Sequence, residues 1–375
     1  MAPPNPLSGH LGHLTAAQEQ AFAKFKELCV AEGLYTPAGE GGKEASHDDA
    51  TMLRFLRARR FDPTAALGQF RDTEAWRAAN DIDGLYDHFD VSSYQEARQY
   101  YPQWVGRRDR RGVPLYVYKI RDLDSANMSS YHASLQSKPT STQHAGSTIP
   151  PKLLRIFALY ENMRRFALPL CTALTASRPN PETPISAAAT IADVQGVGLK
   201  QFWNLKGHMQ EPSTLSTAHY PETLDRIYIV GAPFFFPTVW GWIKNWFDPV
   251  TTSKIEVLSA ANMKAVLTAH IAPENLPKRY GGELDWDFGQ PPLLDDETRD
   301  LVGEIGDVPG PIVFDPKTGE VTAVGTVDGK PRREVVGKKA AAVLVSKADE
   351  SEALKEKAQM GVDVADEEAE PVGAA

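Results

Sequence analysis

The chain has 375 residues, 42% hydrophobic and 24% charged, with a formal net charge of −9. That is a globular composition, long enough for one large domain or two unequal ones with a sizeable core. Residues 347–375 hold nine carboxylates against three lysines, leaving the body before them only −3, which excludes a strongly basic nucleic-acid footprint.

Residues 1–14 are rich in Pro and Gly and read as a surface arm. They lack the basic start and apolar run of a signal peptide. The two cysteines, Cys29 and Cys171, have neither metal nor redox spacing and read as buried thiols in a reducing compartment. The expectation is a cytoplasmic protein whose membrane contacts are peripheral. A helix runs from Thr15 to about Gly33 with Ala21, Phe25 and Leu28 on one face, and Ser46 to Asp49 supplies an N-cap for DATMLRFLRARRF. On that second helix Arg60 lies four residues after Leu56 and seven after Leu53, which puts it on the apolar stripe. Asp62 and Pro63 start a third helix carrying Leu67, Phe70 and Trp76, so residues 1–88 read as a helical bundle.

From about residue 90 the pattern changes. VPLYVYKI (113–120), AAATIADV (187–194), RIYIVGAP (226–233) and IEVL (255–258) read as strands. Residues 122–150 form an insertion without periodicity, and helices are expected over 152–174, 199–217 and 260–270. Alternating strands and helices imply an α/β fold with a mainly parallel sheet and right-handed crossovers over residues 89–290. Residues 291–375 read as an extension: a short β meander with Gly-containing turns, then an acidic tail, helical or disordered.

Seven of the fourteen residues from Phe234 to Phe247 are aromatic. Pro237 suits a first helical turn. At 100° per residue Trp240, Phe247, Ile243, Val239, Trp246 and Trp242 fall on one arc. The run is too short and too broken by Gly and Pro to span a bilayer. Core helix, lid over an apolar cavity and membrane-surface wedge all fit this pattern.

No GxSxG, HExxH, GxxxxGK[ST] or Cys/His cluster occurs, and GVGLKQ (196–201) lacks the third glycine of a dinucleotide loop. The reading is a non-enzyme without metal or cofactor. The segments FLRARRFD (55–62), DVQG (193–196), YPE (220–222), APFFF (232–236), FDPVTTSKI (247–255) and PENLPKRYGG (273–282) stand in the order and spacing of the CRAL-TRIO lipid-binding family. Over roughly residues 8–285 the chain resembles the yeast-type phosphatidylinositol/phosphatidylcholine transfer proteins most.

The resemblance implies an α/β bowl with an apolar cavity and a gate helix after the APF strand, formed here by Phe235, Phe236, Trp240, Ile243, Trp246 and Phe247. A diacyl lipid exposes about 30 methylenes, and wetting them costs on the order of 25 kcal/mol at roughly 0.8 per methylene, so transfer requires a closed apolar cavity. A buried phosphodiester needs cations and hydroxyls around it. The resemblance assigns the phosphatidylinositol phosphate to Arg59, Arg60, Thr251 and Lys254, with Glu211 holding them. It assigns a second lipid, phosphatidylcholine, to Tyr116, Tyr160 and Thr190. Here the chain departs from the pattern. Ala188 stands where the family has a serine and Val105 where it has an aromatic, which weakens the phosphate and choline contacts.

The function implied is binding and transfer of phosphatidylinositol by a monomer at Golgi or endosomal membranes, with presentation to a lipid kinase. A carrier of a neutral sterol-like or isoprenoid ligand and a lipid-regulated scaffold are the alternatives. The turn GRRDRRG (106–112), with Arg107, Arg108, Arg110 and Arg111, reads either as a solvated hairpin tip or as an attractor for anionic leaflets.

Overall fold

The computed structural model describes residues 6–39, 43–137, 149–246 and 249–338. Three capped helices build the N-terminal bundle. Helix α1 (Ala16–Ala31) starts at a capping box between Thr15 and Gln18, and α2 (Asp49–Ala58) starts where Asp48 accepts the Thr51 amide at 2.7 Å. Helix α3 (Pro63–Ala79) has Asp62 as its cap and Pro63 in its first turn. Their apolar faces meet around Phe70, whose ring receives Phe25 and Phe55 edge-on at 6.0 and 5.0 Å. The second helix stops at Ala58. Arg60 and Phe61 adopt left-handed backbone (φ 52 and 62), and the Phe61 amide donates back to the Leu56 carbonyl at 2.9 Å. Arg60 therefore leaves the apolar stripe on which helical spacing placed it and sits exposed on a tight reversal. Two short helices follow, α4 (Ile82–Asp87) and α5 (Val91–Arg98).

A five-stranded sheet comes next, its strand order following chain order. Strand β1 (Gln103–Arg108), which alternation did not reveal, pairs antiparallel with β2 (Pro114–Lys119). Helix α6 (Ser125–Ser137) occupies the insertion read as aperiodic. The expected helix over 152–174 is three pieces: α7 (Pro151–Asn162), one π turn over Met163–Ala167, and α8 (Leu168–Ala173). Pro169 has no amide hydrogen and crowds the preceding turn, so the ladder widens just before it. Strand β3 (Ala188–Asp193) joins β2 in parallel, bringing Tyr116 beside Thr190. The expected helix over 199–217 divides at Leu205 into α9 (Leu199–Asn204) and α10 (Lys206–His219). Strand β4 (Leu224–Val230), α11 (Phe236–Ile243), α12 (Pro249–Ser253), the parallel edge strand β5 (Ile255–Val257) and α13 (Met263–His270) complete the sheet layer.

Because strand side chains alternate, the sheet has two different faces. Leu115, Val117, Ile191, Tyr228 and Val230 pack with Val105 against Leu267 of α13 and Ile271 just after it. Tyr116, Tyr118, Thr190, Ala192, Ile227 and Ile229 face the other way, into a cavity.

Helix α14 (Asp296–Val302) and an antiparallel sheet of β6 (Ile312–Phe314), β7 (Val321–Val327) and β8 (Lys330–Gly337) form the described part of the extension. It shares a core with the body: Leu294, Ile305, Phe314 and Val321 pack on Trp104, Phe166 and Leu170. The Tyr86 hydroxyl donates to the Ile312 carbonyl at 2.7 Å and accepts the Ile312 amide at 3.1 Å. This packing changes the reading of the arginine turn. Arg108 is buried and bonds Asp295 at 2.6 Å and Glu297 at 3.1 Å, and Arg111 bonds Asp109 at 2.7 Å and Asp225 at 2.5 Å. Of the four arginines only Arg110 is exposed. Two of the turn's four charges, those of Arg108 and Arg111, are thus spent on carboxylates, with Asp225, Asp295 and Glu297 lying far away in sequence, while Arg110 stays at the surface.

Candidate functional site

The second face of the sheet walls a cavity of about 490 Å³, within the range that holds small ligands. Its middle is lined by Tyr116 on β2, Ala188 and Thr190 on β3, and Tyr160 and Met163 from α7 and the π turn. Tyr118, Phe202 and His208 line one end. Phe236 and Trp240 of α11 also line the cavity; Phe236 is almost fully buried and stacks on Trp240 at 6.3 Å.

Helix α11 does not present one continuous aromatic arc. Val239 and Phe236 point into the protein, while Trp242 is exposed and meets the Trp203 ring of α9 at 6.2 Å. Phe235 packs edge-on against Phe202 at 6.4 Å and is not a lining residue. The regular helix ends at Ile243 and tightens to a 3-10 turn over Lys244–Trp246. The side chains of Ile243 and Trp246, and all of Phe247, lie outside the described residues.

The mouth of the cavity is charged. Arg57, Arg59, Arg60 and Lys254 line it with Thr251, and Glu222 is the one carboxylate among its described lining residues. Arg59 and Arg60 are exposed. The Lys254 ammonium donates to Glu222 at 3.2 Å and to the Leu224 carbonyl at 2.8 Å, while Arg57 donates to the same Glu222 oxygen at 3.2 Å. Burial pulls the Arg57 pKa below the ordinary guanidinium range, against the opposing charge of Glu222. Four cations against one carboxylate leave the mouth positive and suited to an anion.

Glu211 lies on α10, and its side chain is outside the described residues. The carboxylate bridging Arg57 and Lys254 is Glu222, from the YPE segment, held in left-handed backbone (φ 57). Nothing in the YPE segment's sequence marks its carboxylate for that role. The support behind it comes from residues far apart in the sequence. The Tyr220 hydroxyl donates to Glu161 at 2.9 Å, and its ring stacks on Tyr160 at 4.8 Å. Glu161 is fully buried and also receives Arg77 at 2.8 Å and Arg164 at 2.7 Å. Burial opposes its ionisation, but the two guanidiniums outweigh that and hold its carboxyl well below the usual range. A chain of contacts thus runs from α3 through α7 to the turn that carries Glu222.

Tyr116, Tyr160 and Thr190 line the middle of the cavity together. Ala188 lies on the same wall and offers no hydroxyl. Val105 does not share it: it is fully buried in the core on the opposite face of the sheet. The aromatic nearest in sequence that does line the cavity is Tyr101. Among the described residues no helix is long and apolar enough to cross a membrane, and no group of three or more His, Cys, Asp or Glu could hold a metal ion.

A sheet with one face turned to a tyrosine- and aliphatic-lined cavity, beneath a positive mouth, defines a binding protein for an apolar ligand. The chain belongs to the CRAL/TRIO lipid-binding family: residues 98–282 match the CRAL/TRIO domain and residues 21–72 its N-terminal domain. It is 31% identical over 286 residues to the SEC14 cytosolic factor of Kluyveromyces lactis, covering 76% of this chain and 84% of that one. The SEC14 cytosolic factor of Yarrowia lipolytica is 31% identical over 289 residues, 77% of this chain; this chain spans only 52% of that relative. Phosphatidylinositol/phosphatidylcholine transfer protein SFH7 of Arabidopsis thaliana is 31% identical over 260 residues, 69% of this chain and 42% of that protein. Among solved structures, the crystal structure of Sfh5 shares the fold at a TM-score of 0.51 and 15% identity, covering 76% of this chain and 95% of that one.

Proposed function

We propose that the protein binds phosphatidylinositol in this cavity, exchanges it between membranes and presents it to a lipid kinase. The carrying observation is the join of two chemistries in one cavity: an apolar, tyrosine-rich interior and a mouth of Arg57, Arg59, Arg60 and Lys254 beside Thr251. Acyl chains gain from the first, and a phosphodiester from the second. The names of the SEC14-type relatives and of the Arabidopsis transfer protein support the choice of ligand. Helix α11 is the door, since Phe236 and Trp240 close the cavity from outside the sheet. A cytoplasmic monomer visiting Golgi or endosomal membranes fits this cycle.

A liposome-to-liposome transfer assay with Arg60→Ala/Lys254→Ala tests the reading. Phosphatidylinositol transfer should fall at least tenfold while the folded state is retained. Wild-type transfer by the double variant would overturn it. One observation favours a second reading. The wall at Ala188 carries no hydroxyl for a second phosphate, so a neutral sterol-like or isoprenoid ligand could take that part of the cavity. Native mass spectrometry of the purified protein separates a retained phosphoinositide from a neutral apolar molecule.

A further inference from the structure

Beside the lipid cavity lies a second, smaller chamber of about 60 Å³. Pro102, Tyr116 and Leu159 line both spaces, so a single layer of side chains separates them. The chamber shares none of the cations at the cavity mouth. Its roof is the extension, through Leu294, Ile305, Val308 and Ile312. That roof is tied down: the Gly310 amide donates to the Gln95 side chain at 3.3 Å, and Arg332 donates to the Pro309 carbonyl at 2.7 Å.

The polar groups of the chamber are one-sided. Arg98, the last residue of α5, lines it half-buried. Its guanidinium makes one long hydrogen bond, 3.4 Å to the Gln95 oxygen. Among the described residues no carboxylate lies within 4.0 Å of it and none lines the chamber. Arg108 and Arg111, by contrast, each meet two carboxylates. The Tyr116 hydroxyl is buried and has no hydrogen-bond partner among the described residues. Burial pushes its pKa up, Tyr94 and Cys171 push the same way, and Arg98 opposes them. The hydroxyl therefore stays protonated as a donor, within reach of the guanidinium's field. A buried donor without an acceptor and a cation without a counter-ion are both costly, and one oxyanion between them relieves both. A space of this size takes a few waters at about 10–15 Å³ each, or one phosphate-sized group, and leaves no room for a choline beyond it.

We propose that this chamber binds a phosphomonoester-sized oxyanion on Arg98 and Tyr116, carried in as the head of a lipid whose acyl chains fill the larger cavity. This rests on the lipid-exchange reading and names the class of the second lipid: one with a small, anionic head and nothing attached beyond its phosphate.

The test loads the full chain by exchange from vesicles holding equal parts of phosphatidate, phosphatidylcholine and phosphatidylinositol, and reads bound lipid by mass spectrometry. Wild type should take up phosphatidate at least tenfold over phosphatidylcholine. Arg98→Gln should lose that preference and still take up phosphatidylinositol as wild type does. Tyr116→Phe, which keeps the ring and removes one donor to a charged group, should lose about tenfold of the phosphatidate uptake. If Arg98→Gln also loses phosphatidylinositol through misfolding, Tyr116→Phe decides. Inorganic phosphate separates the two sources of the anion. A melting temperature raised by phosphate in wild type but not in Arg98→Gln, with no phosphatidate uptake, would keep the anion site and overturn its lipid source. Equal uptake of phosphatidate and phosphatidylcholine by wild type without any phosphate response, or undiminished phosphatidate uptake by both variants, would overturn the proposal outright. Uptake of phosphatidate but not phosphatidylinositol by wild type would sink the phosphatidylinositol assignment and leave the chamber standing.

Discussion

Replacing Glu161 by Gln probes the contact chain behind the positive mouth. Glu161 is fully buried and accepts from Arg77, Arg164 and the Tyr220 hydroxyl. Gln keeps the shape and loses the charge, leaving the partly buried guanidiniums of Arg77 and Arg164 without their buried counter-ion. Removing one partner of a buried pair costs about 3–5 kcal/mol. Here Asp83, 2.7 Å from Arg77 and 3.3 Å from Arg164, takes part of the load, so about 3 kcal/mol is the expected loss. Urea unfolding at neutral pH reads this as a lowered midpoint with an unchanged slope.

The pH dependence isolates the cause. The folded carboxyl is held well below its ordinary value of 4.5, so the stability it supplies is fully present above that pH and is lost as pH falls below it. The Gln variant has nothing to titrate. The gap between wild type and variant should therefore be constant from pH 7 to about 5 and narrow below about 4.5. A gap that stays the same down to pH 3 would refute the assignment to the carboxylate charge. Because Tyr220, two residues before Glu222, then donates to a neutral amide oxygen in place of a carboxylate, phosphatidylinositol transfer should also fall, by about threefold to tenfold. Unchanged transfer in a destabilised variant would show that the network braces the fold without positioning the mouth.

Two further outcomes are expected. Ala188→Ser restores a hydroxyl to the cavity wall beside Thr190, and one added hydrogen bond to a phosphate is worth about 1.5 kcal/mol. Phosphatidylcholine loading, measured by competition in a lipid-exchange assay, should rise about tenfold with phosphatidylinositol loading little changed; no gain would mean the serine-to-alanine difference does not control the second lipid. Tyr86→Phe removes the hydroxyl that serves both the amide and the carbonyl of Ile312 and also accepts from Asn162 at 3.0 Å. Leaving those groups unsatisfied should cost about 2 kcal/mol and speed amide exchange in β6 and β7 ahead of the rest of the chain; uniform exchange would show that the extension is held by its apolar core alone.

Much of this architecture is written in local pattern. The capping residues Thr15, Asp48 and Asp62 announce the three bundle helices, because a cap is satisfied within four residues of itself. The strands around Tyr116, Thr190 and Ile227 follow from alternation and length, and the mainly parallel α/β layout from the order in which they recur. Spacing also finds Trp240 on a helix, and the resemblance adds Phe236 to it, though neither says which face meets the cavity. What the sequence could not supply are decisions made by partners far along the chain. Arg108 is drawn inward by Asp295 and Glu297, nearly 190 residues later, so a charge count reads it as surface. Glu222, not visibly special in YPE, bridges Arg57 and Lys254 only once the bundle and β4 converge. Arg60 reaches the mouth only because the chain turns left-handed where helical periodicity would have carried on. Periodicity and capping report energies local to one element and so survive in the sequence. Ion pairing, desolvation and the outward or inward choice of a tryptophan depend on what packs alongside, and only the folded chain settles them.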